Sequence, residues 1–263
     1  MQNPDYVDVQ KSTDWSNECT IEKKTLDTIY VDINKGNDQN TGESETTPVK
    51  TFSRALDGIR NGGTIILLSD CVTNTVYFDK TVTVTGKSND SSVTLTGKQY
   101  WYIDPNIIVT LNNISIKTAG IFRYKDSEKE PGNLVLNNVT HTTIKEINGL
   151  KAVTLNNSEI DCPTIEADKV ELKNTELNGR FLTDNLTIDG ENTLIYTLNS
   201  PGKIVQGITG NGKLKVRLND IGQKELRGIK VLEVPKAISK ISNIELDSSY
   251  GCLLYTSPSP RDS

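Results

Sequence analysis

The sequence predicts an all-β fold, a right-handed parallel β-helix (solenoid) with a short N-terminal capping helix. Three observations carry the prediction. The 263 residues hold 30 Thr and 25 Asn but 5 Ala, which supplies strands and tight turns and withholds the best helix former. A five-residue pattern, two aliphatics around one outward residue and ending in Asn or Gly, recurs six times between positions 82 and 190. Its turn residues lie 27, 25, 19, 17 and 16 apart, a coil-sized spacing with variable insertions.

Residues 1–27 read as an N-terminal remnant or linker, polar and without the basic start and apolar stretch of a signal peptide. Residues 28–251 form the cap and the β-helix. After Tyr30 comes a loop in which Asp32, Asn34, Asp38 and Asn40 alternate with Gly36 and Gly42. Phe52, Ala55, Leu56 and Ile59 then follow helical spacing, with Thr51 as N-cap and Gly62 as stop, predicting one helix over 52–60. Such a lid covers the core and the unpaired backbone that a first coil otherwise exposes. Residues 252–263 differ in composition and resemble the translated read-through of a sequencing-library adapter. They are expected to be non-native, so that the natural chain continues beyond about Gly251.

In the repeats, Val109/Leu111, Leu134/Leu136, Val153/Leu155, Val170/Leu172 and Leu186/Ile188 alternate inward and stack like on like. The turn position holds Gly86, Asn113, Asn138, Asn157, Asn174 and Gly190, the residue types that best accept a left-handed backbone. Stacked coils place these in a column about 4.7–4.9 Å apart, where side-chain amides bond along the axis. Beyond the corner, inward parity falls on Ile114/Ile116, Val139/His141, Ser158/Ile160 and Thr175/Leu177. His141, the single histidine, is therefore expected to be a partly buried structural imidazole. The stretch from Val93 to Gly97 follows Gly86 too closely for a full coil and reads as a second face of the same one.

The order of strand, Gly/Asn/Asp loop, helix opening at Phe52 and strand opening at Gly62 resembles the N-terminal cap of pectin-lyase-like β-helix domains over roughly residues 28–220. That resemblance implies a secreted or surface-attached bacterial protein, and it covers lyases, hydrolases, adhesins and structural modules alike. The expected function is a non-catalytic extracellular or cell-surface module, a scaffold or adhesion unit with a polysaccharide or host or cell-wall glycan as partner, acting as a monomer. The alternative is a polysaccharide lyase or glycoside hydrolase with its active site outside these coils.

The chemistry-bearing residues are few. The outward column Thr83, Thr110, Val135, Thr154, Glu171 and Thr187 lacks the acid, base and cation set of the fold's enzymes. Glu159 and Glu176 occupy equivalent positions in successive coils, near the carboxyl separation of a retaining glycosidase, and are the weak catalytic candidates. Asp32, Asn34, Asp38 and Asn40 are hard-oxygen types that suit Ca²⁺, though Asx turns alone also explain them. Tyr100, Trp101 and Tyr102 put aromatics on both faces of one strand, and whichever face is exposed is a ligand-stacking candidate. A net charge of −5 and pI near 5.1 argue against a nucleic-acid partner, and the longest aliphatic run, Ile65 to Leu68, is too short for membrane insertion. Gly207 to Lys213 fits a phosphate-loop spacing, but Leu214 replaces the hydroxyl that meets magnesium. Cys19, Cys71 and Cys162 are too scattered for a disulfide framework or a zinc site. Three or more convergent charged side chains on an outward face would favour the enzyme.

Overall fold

A computed structural model describes residues 25–89, 92–124, 129–196, 201–218, 232–234 and 244–246. Most of the linker and the whole adapter-like tail lie outside the described residues. The chain is a parallel β-helix whose coils pass over three faces in turn. Strands Leu26–Val31, Ile59–Leu67, Val82–Gly86, Ile108–Asn112 and Asn133–Asn137 stack in parallel on the first face. The C-terminal parts of Ile147–Asn156, Glu159–Lys173 and Glu176–Asp189 continue it. Cys71–Thr73, Thr94–Gly97, Ser115–Thr118 and Thr140–Ile144 form the second face, which places the Val93 to Gly97 stretch as expected. Val76–Phe78, Trp101–Ile103 and Ile121–Arg123 open the third, which the start of Ile147–Asn156 extends.

The first face keeps the register that the repeats require. Ile29, Ile65, Val84, Leu111, Leu136, Leu155, Leu172 and Ile188 form one inward column, and all are buried. Each contributes about 1.5–3 kcal/mol by its apolar area removed from water. Thr64, Thr83, Thr110, Val135, Thr154, Glu171, Thr187 and Thr209 form the outward column beside it.

The corners turn where Asn113, Asn138, Asn157, Asn174 and Gly190 sit, with φ of 53°, 51°, 47°, 50° and 67°. The asparagines bond along the axis: Asn138 Nδ2 donates to Asn113 Oδ1 at 3.0 Å and Asn174 Nδ2 to Asn157 Oδ1 at 3.2 Å. At Gly190 the column ends, and a Cβ there would lie 1.9 Å from the Asn174 amide oxygen. Gly86 is a correction. It closes a strand without a left-handed φ, and its glycine is needed because the Asn113 carbonyl oxygen lies 2.4 Å from where a Cβ would be. A second amide ladder runs one position earlier, Asn156 Nδ2 to Asn137 Oδ1 at 2.7 Å and Asn137 Nδ2 to Asn112 Oδ1 at 2.8 Å. Both ladders satisfy amides that stacking would otherwise leave competing with water.

Past the corner, Ile114, Ile116, Val139, Ser158, Ile160, Thr175 and Leu177 point inward as expected. His141 does not. The register shifts between Thr140 and Thr143, an extra residue is accommodated, and His141 takes a left-handed φ of 50° with its ring exposed. Thr142 is buried in its place, and its Oγ1 accepts from the Asp161 amide at 2.6 Å.

The capping helix spans Phe52–Gly58, with Thr51 Oγ1 accepting the Arg54 amide at 3.2 Å. It ends two residues sooner than its apolar spacing suggests, because Ile59 is already extended and opens the next strand. Lys80 Nζ donates to the Leu56 and Ile59 carbonyls at 2.8 and 3.1 Å, satisfying acceptors that the helix end leaves open. A buried aromatic run, Phe52, Phe78 and Trp101 in edge-to-face contacts, ties the lid to the third face.

The corner column makes a prediction for stability. Asn138→Ala loses an axial hydrogen bond and puts a Cβ without a local amide in the left-handed region, so it should destabilise by about 1–2 kcal/mol. Asn138→Gly, which keeps the turn, should lose less. Urea unfolding midpoints of the two variants test the order.

Candidate functional site

The third face carries the most distinctive surface. Val76, Trp101 and Ile121 alternate inward, so Tyr77, Tyr102 and Phe122 align on the outside in adjacent coils. Tyr77 and Tyr102 stack with ring centroids 5.2 Å apart and planes 13° off parallel. Tyr124 meets both edge-on, at 5.4 and 6.2 Å, and Tyr100 meets Phe122 edge-on at 5.1 Å. Tyr77, Tyr100 and Tyr124 are 51%, 46% and 44% exposed, which makes this an aromatic platform facing solvent.

Of the sequence candidates, Tyr100 and Tyr102 belong to the platform and Trp101 does not. Trp101 is buried, with Nε1 donating to Thr73 Oγ1 at 3.0 Å, and Gly97 leaves room for its ring. Strand alternation forces this choice: one face of Tyr100-Trp101-Tyr102 had to turn inward, and the larger apolar ring fills the core. Short-range patterns do not connect Tyr77, Phe122 and Tyr124 to this strand, because Tyr77 lies 25 residues before Tyr102 and Phe122 and Tyr124 lie 20 and 22 after it. The signal that identifies them is the coil register, which is invisible in a strand read alone.

Glu159 and Glu176 are direct neighbours across adjacent strands, as the repeat requires. Glu159 is exposed, and Arg217 Nη1 stands 3.9 Å from Glu176 Oε2. The column continues through Thr193 and Lys215 to Glu245, so among the described residues no second adjacent pair of acids extends it.

The outward column of the first face holds one carboxylate, Glu171. Hydrogen bonding from Lys169 holds its carboxyl below the usual range against partial burial, with Thr154 Oγ1 donating at 2.9 Å as well. A carboxylate kept ionised this way is a poor general acid. A three-member charge cluster does occur, where Lys151 Nζ lies 2.7 Å from Glu130 and 3.4 Å from Asp168. Hydrogen bonding to Glu130, then to Asp168, raises the lysine further above neutrality, the opposite of what a lysine base needs. Asp104, next to the platform strand, is pushed upward by burial and then by the Asp79 charge.

The acidic loop is internally braced. Asp32 Oδ1 accepts from the Asn34 and Lys35 amides at 2.9 and 3.2 Å and from Ser69 Oγ at 3.0 Å. Asp38 Oδ1 accepts from the Lys50 and Thr51 amides at 2.9 and 2.8 Å, and Asn40 Nδ2 donates to the Pro48 carbonyl at 2.9 Å. The side chains of Asp32 and Asp38 therefore bond two different stretches of backbone. Among the described residues no group of three or more His, Cys, Asp or Glu converges as a metal site. Asp32 makes an Asx turn, while Asp38 and Asn40 tie the loop to the later stretch 48–51. The loop shields the outer edge of Leu26–Val31, where the Val49 amide donates to the Tyr30 carbonyl and the Asp32 amide to the Val49 carbonyl.

Cys71 and Cys162 are free and buried, and desolvation pushes their thiols up to about 11 and about 12, so both are inert packing residues. The Gly207 to Lys213 segment runs between strands Gly202–Thr209 and Lys213–Leu218 and opens no helix, consistent with its rejection as a phosphate loop. No described helix is long and apolar enough to cross a membrane.

No family model, curated protein or solved structure matches the chain.

Asp32 gives a pH prediction. Burial raises its carboxyl, but the two amides and the Ser69 hydroxyl outweigh that and hold the folded value below the ordinary one. The resulting stability is full above the unfolded value near 3.9 and is lost as pH falls through the folded value. Asp32→Asn should cost about 1–3 kcal/mol at pH 7, with a gap to the native protein that narrows as pH falls from about 4 through the lowered folded value. Thermal melting across that range is the measurement.

Proposed function

We propose that this chain is a non-catalytic β-helix module of the pectin-lyase-like kind, displayed outside the cell or on its surface, whose aromatic platform binds glycans. One observation carries the reading: five aromatic side chains from three successive coils meet on one outward face, three of them roughly half exposed. Tyrosine faces offer apolar area with little rotamer entropy to lose, and the C–H faces of pyranose rings present the matching surface. A solenoid suits this work because each coil holds its neighbour in register, so the platform is preorganised.

The rest of the surface agrees with binding more than with turnover. A threonine column with one ion-paired glutamate supplies neither a protonated acid nor a neutral base. The second reading, a polysaccharide-degrading enzyme, draws on the adjacency of Glu159 and Glu176. It requires one of them to protonate a leaving group, and Glu176→Gln would then abolish any glycan-cleaving activity found.

Retardation of the protein in gels containing dissolved polysaccharides tests the main reading. Tyr102→Ala and Phe122→Ala should each weaken retention about tenfold, roughly 1.4 kcal/mol per platform ring. Thr110→Ala on the first face should leave it unchanged. Equal retention of all three variants would overturn the platform as the binding surface.

A further inference from the structure

The platform does not end at Tyr77. That ring also lines a cleft of about 480 Å³ between the capping helix and the corner that joins Cys71–Thr73 to Val76–Phe78. The volume is in the range of small-ligand sites. Its floor is apolar and buried, made by Phe52, Leu56 and Val76. Its walls are polar, with Ser53 and Asp57 on the helix side and Asn74 and Thr75 on the corner side. Among the described residues, the Ser53 hydroxyl, the Asn74 amide and the Asp57 carboxylate have no protein partner. An apolar floor under unengaged hydroxyl, amide and carboxylate groups is the chemistry that holds a sugar ring, which has one apolar face and a rim of hydroxyls.

We propose that this cleft receives the terminal, uncharged pyranose of a glycan whose following rings lie over Tyr77, Tyr102 and Phe122. The inference rests on the glycan-binding reading and adds which part of the chain is held and which sugars fit. Two features set its terms. The capping helix packs against Leu26–Val31, Ile59–Leu67 and Cys71–Thr73, so it walls the cleft on that side while Tyr77 leaves the other side continuous with the platform. A chain therefore enters by its end. Among the described residues that line the cleft Asp57 is the one that carries a charge, and it repels a uronate carboxylate and accepts hydrogen bonds from neutral sugar hydroxyls.

Calorimetric titration with cellotetraose, chitotetraose, mannotetraose and a galacturonic acid tetramer tests the proposal, alongside gel retention of the matching polymers. Ser53→Trp and Asn74→Trp fill the cleft from opposite walls at exposed positions, and thermal melting checks that each is folded. At least one neutral tetramer should bind the native protein ten times or more tighter than the galacturonic acid tetramer. Both cleft variants should weaken that tetramer at least tenfold while polymer retention, which the platform supports, changes less than threefold. Tetramer affinity within twofold of native in the folded cleft variants would overturn the cleft assignment and leave the platform reading standing if Tyr102→Ala still loses retention. Equally tight galacturonic acid binding would overturn the uncharged class. Absence of binding to every tetramer and polymer would remove both the cleft and the platform.

Discussion

The left-handed asparagine corner is the constraint on which the other features of this chain depend. At Asn113, Asn138, Asn157 and Asn174 the backbone bends into a region that β-branched and bulky residues resist. Asparagine enters it and brings an amide that can bond to the coil above or below. The same residue thus turns the chain and locks the coil spacing. Once the corners align, the side chains two and four positions before them must alternate in phase, and the inward column from Ile29 to Ile188 closes without gaps in register. The parallel ladder at Asn112, Asn137 and Asn156 repeats the device on the outside of the same corner.

A scaffold held this way leaves its outward positions free to differ between faces. The first face carries threonines, whose β-branched side chains suit an exposed pleated surface and whose hydroxyls bond along the axis, as between Thr187 and Thr209 at 3.0 Å. The third face carries rings. The packing of the core does not call for Tyr77, Tyr100 and Tyr124 to stand in water, and their exposure beside rings they touch is the observation from which the proposed glycan contact is argued. The capping helix has a double part. It covers Ile29 and Ile59 at the open end of the solenoid, and its outer turn walls the cleft next to the rings.

Local exceptions are informative for the same reason. At His141 the coil takes in one more residue than its neighbours, and the ladder tolerates it by a bulge that turns the imidazole out and Thr142 in. Gly86 and Gly190 sit where another coil's atoms approach, the Asn113 carbonyl and the Asn174 amide, and Gly97 sits between the Trp101 ring of its own coil and the Thr118 hydroxyl of the next. Only Gly190 has a left-handed φ. Glycine at the other two answers a steric demand of stacking.

The sequence by itself determined the solenoid, the first-face register, the paired Glu159 and Glu176, the lid with Thr51 as its cap, and the place of Val93 to Gly97. All of these follow from short-range signals, namely a period of two, a turn residue with a special backbone preference, and helical spacing. Tertiary structure decided which side of Tyr100-Trp101-Tyr102 faces water, where the helix stops, that His141 is extruded, and that the acids of the first loop brace backbone. It also brought Tyr77, Tyr102 and Phe122 together. Alternation along one strand assigns two faces but cannot say which is inside, and contacts between coils join residues a full turn apart. Only the stacking of those turns resolves either question.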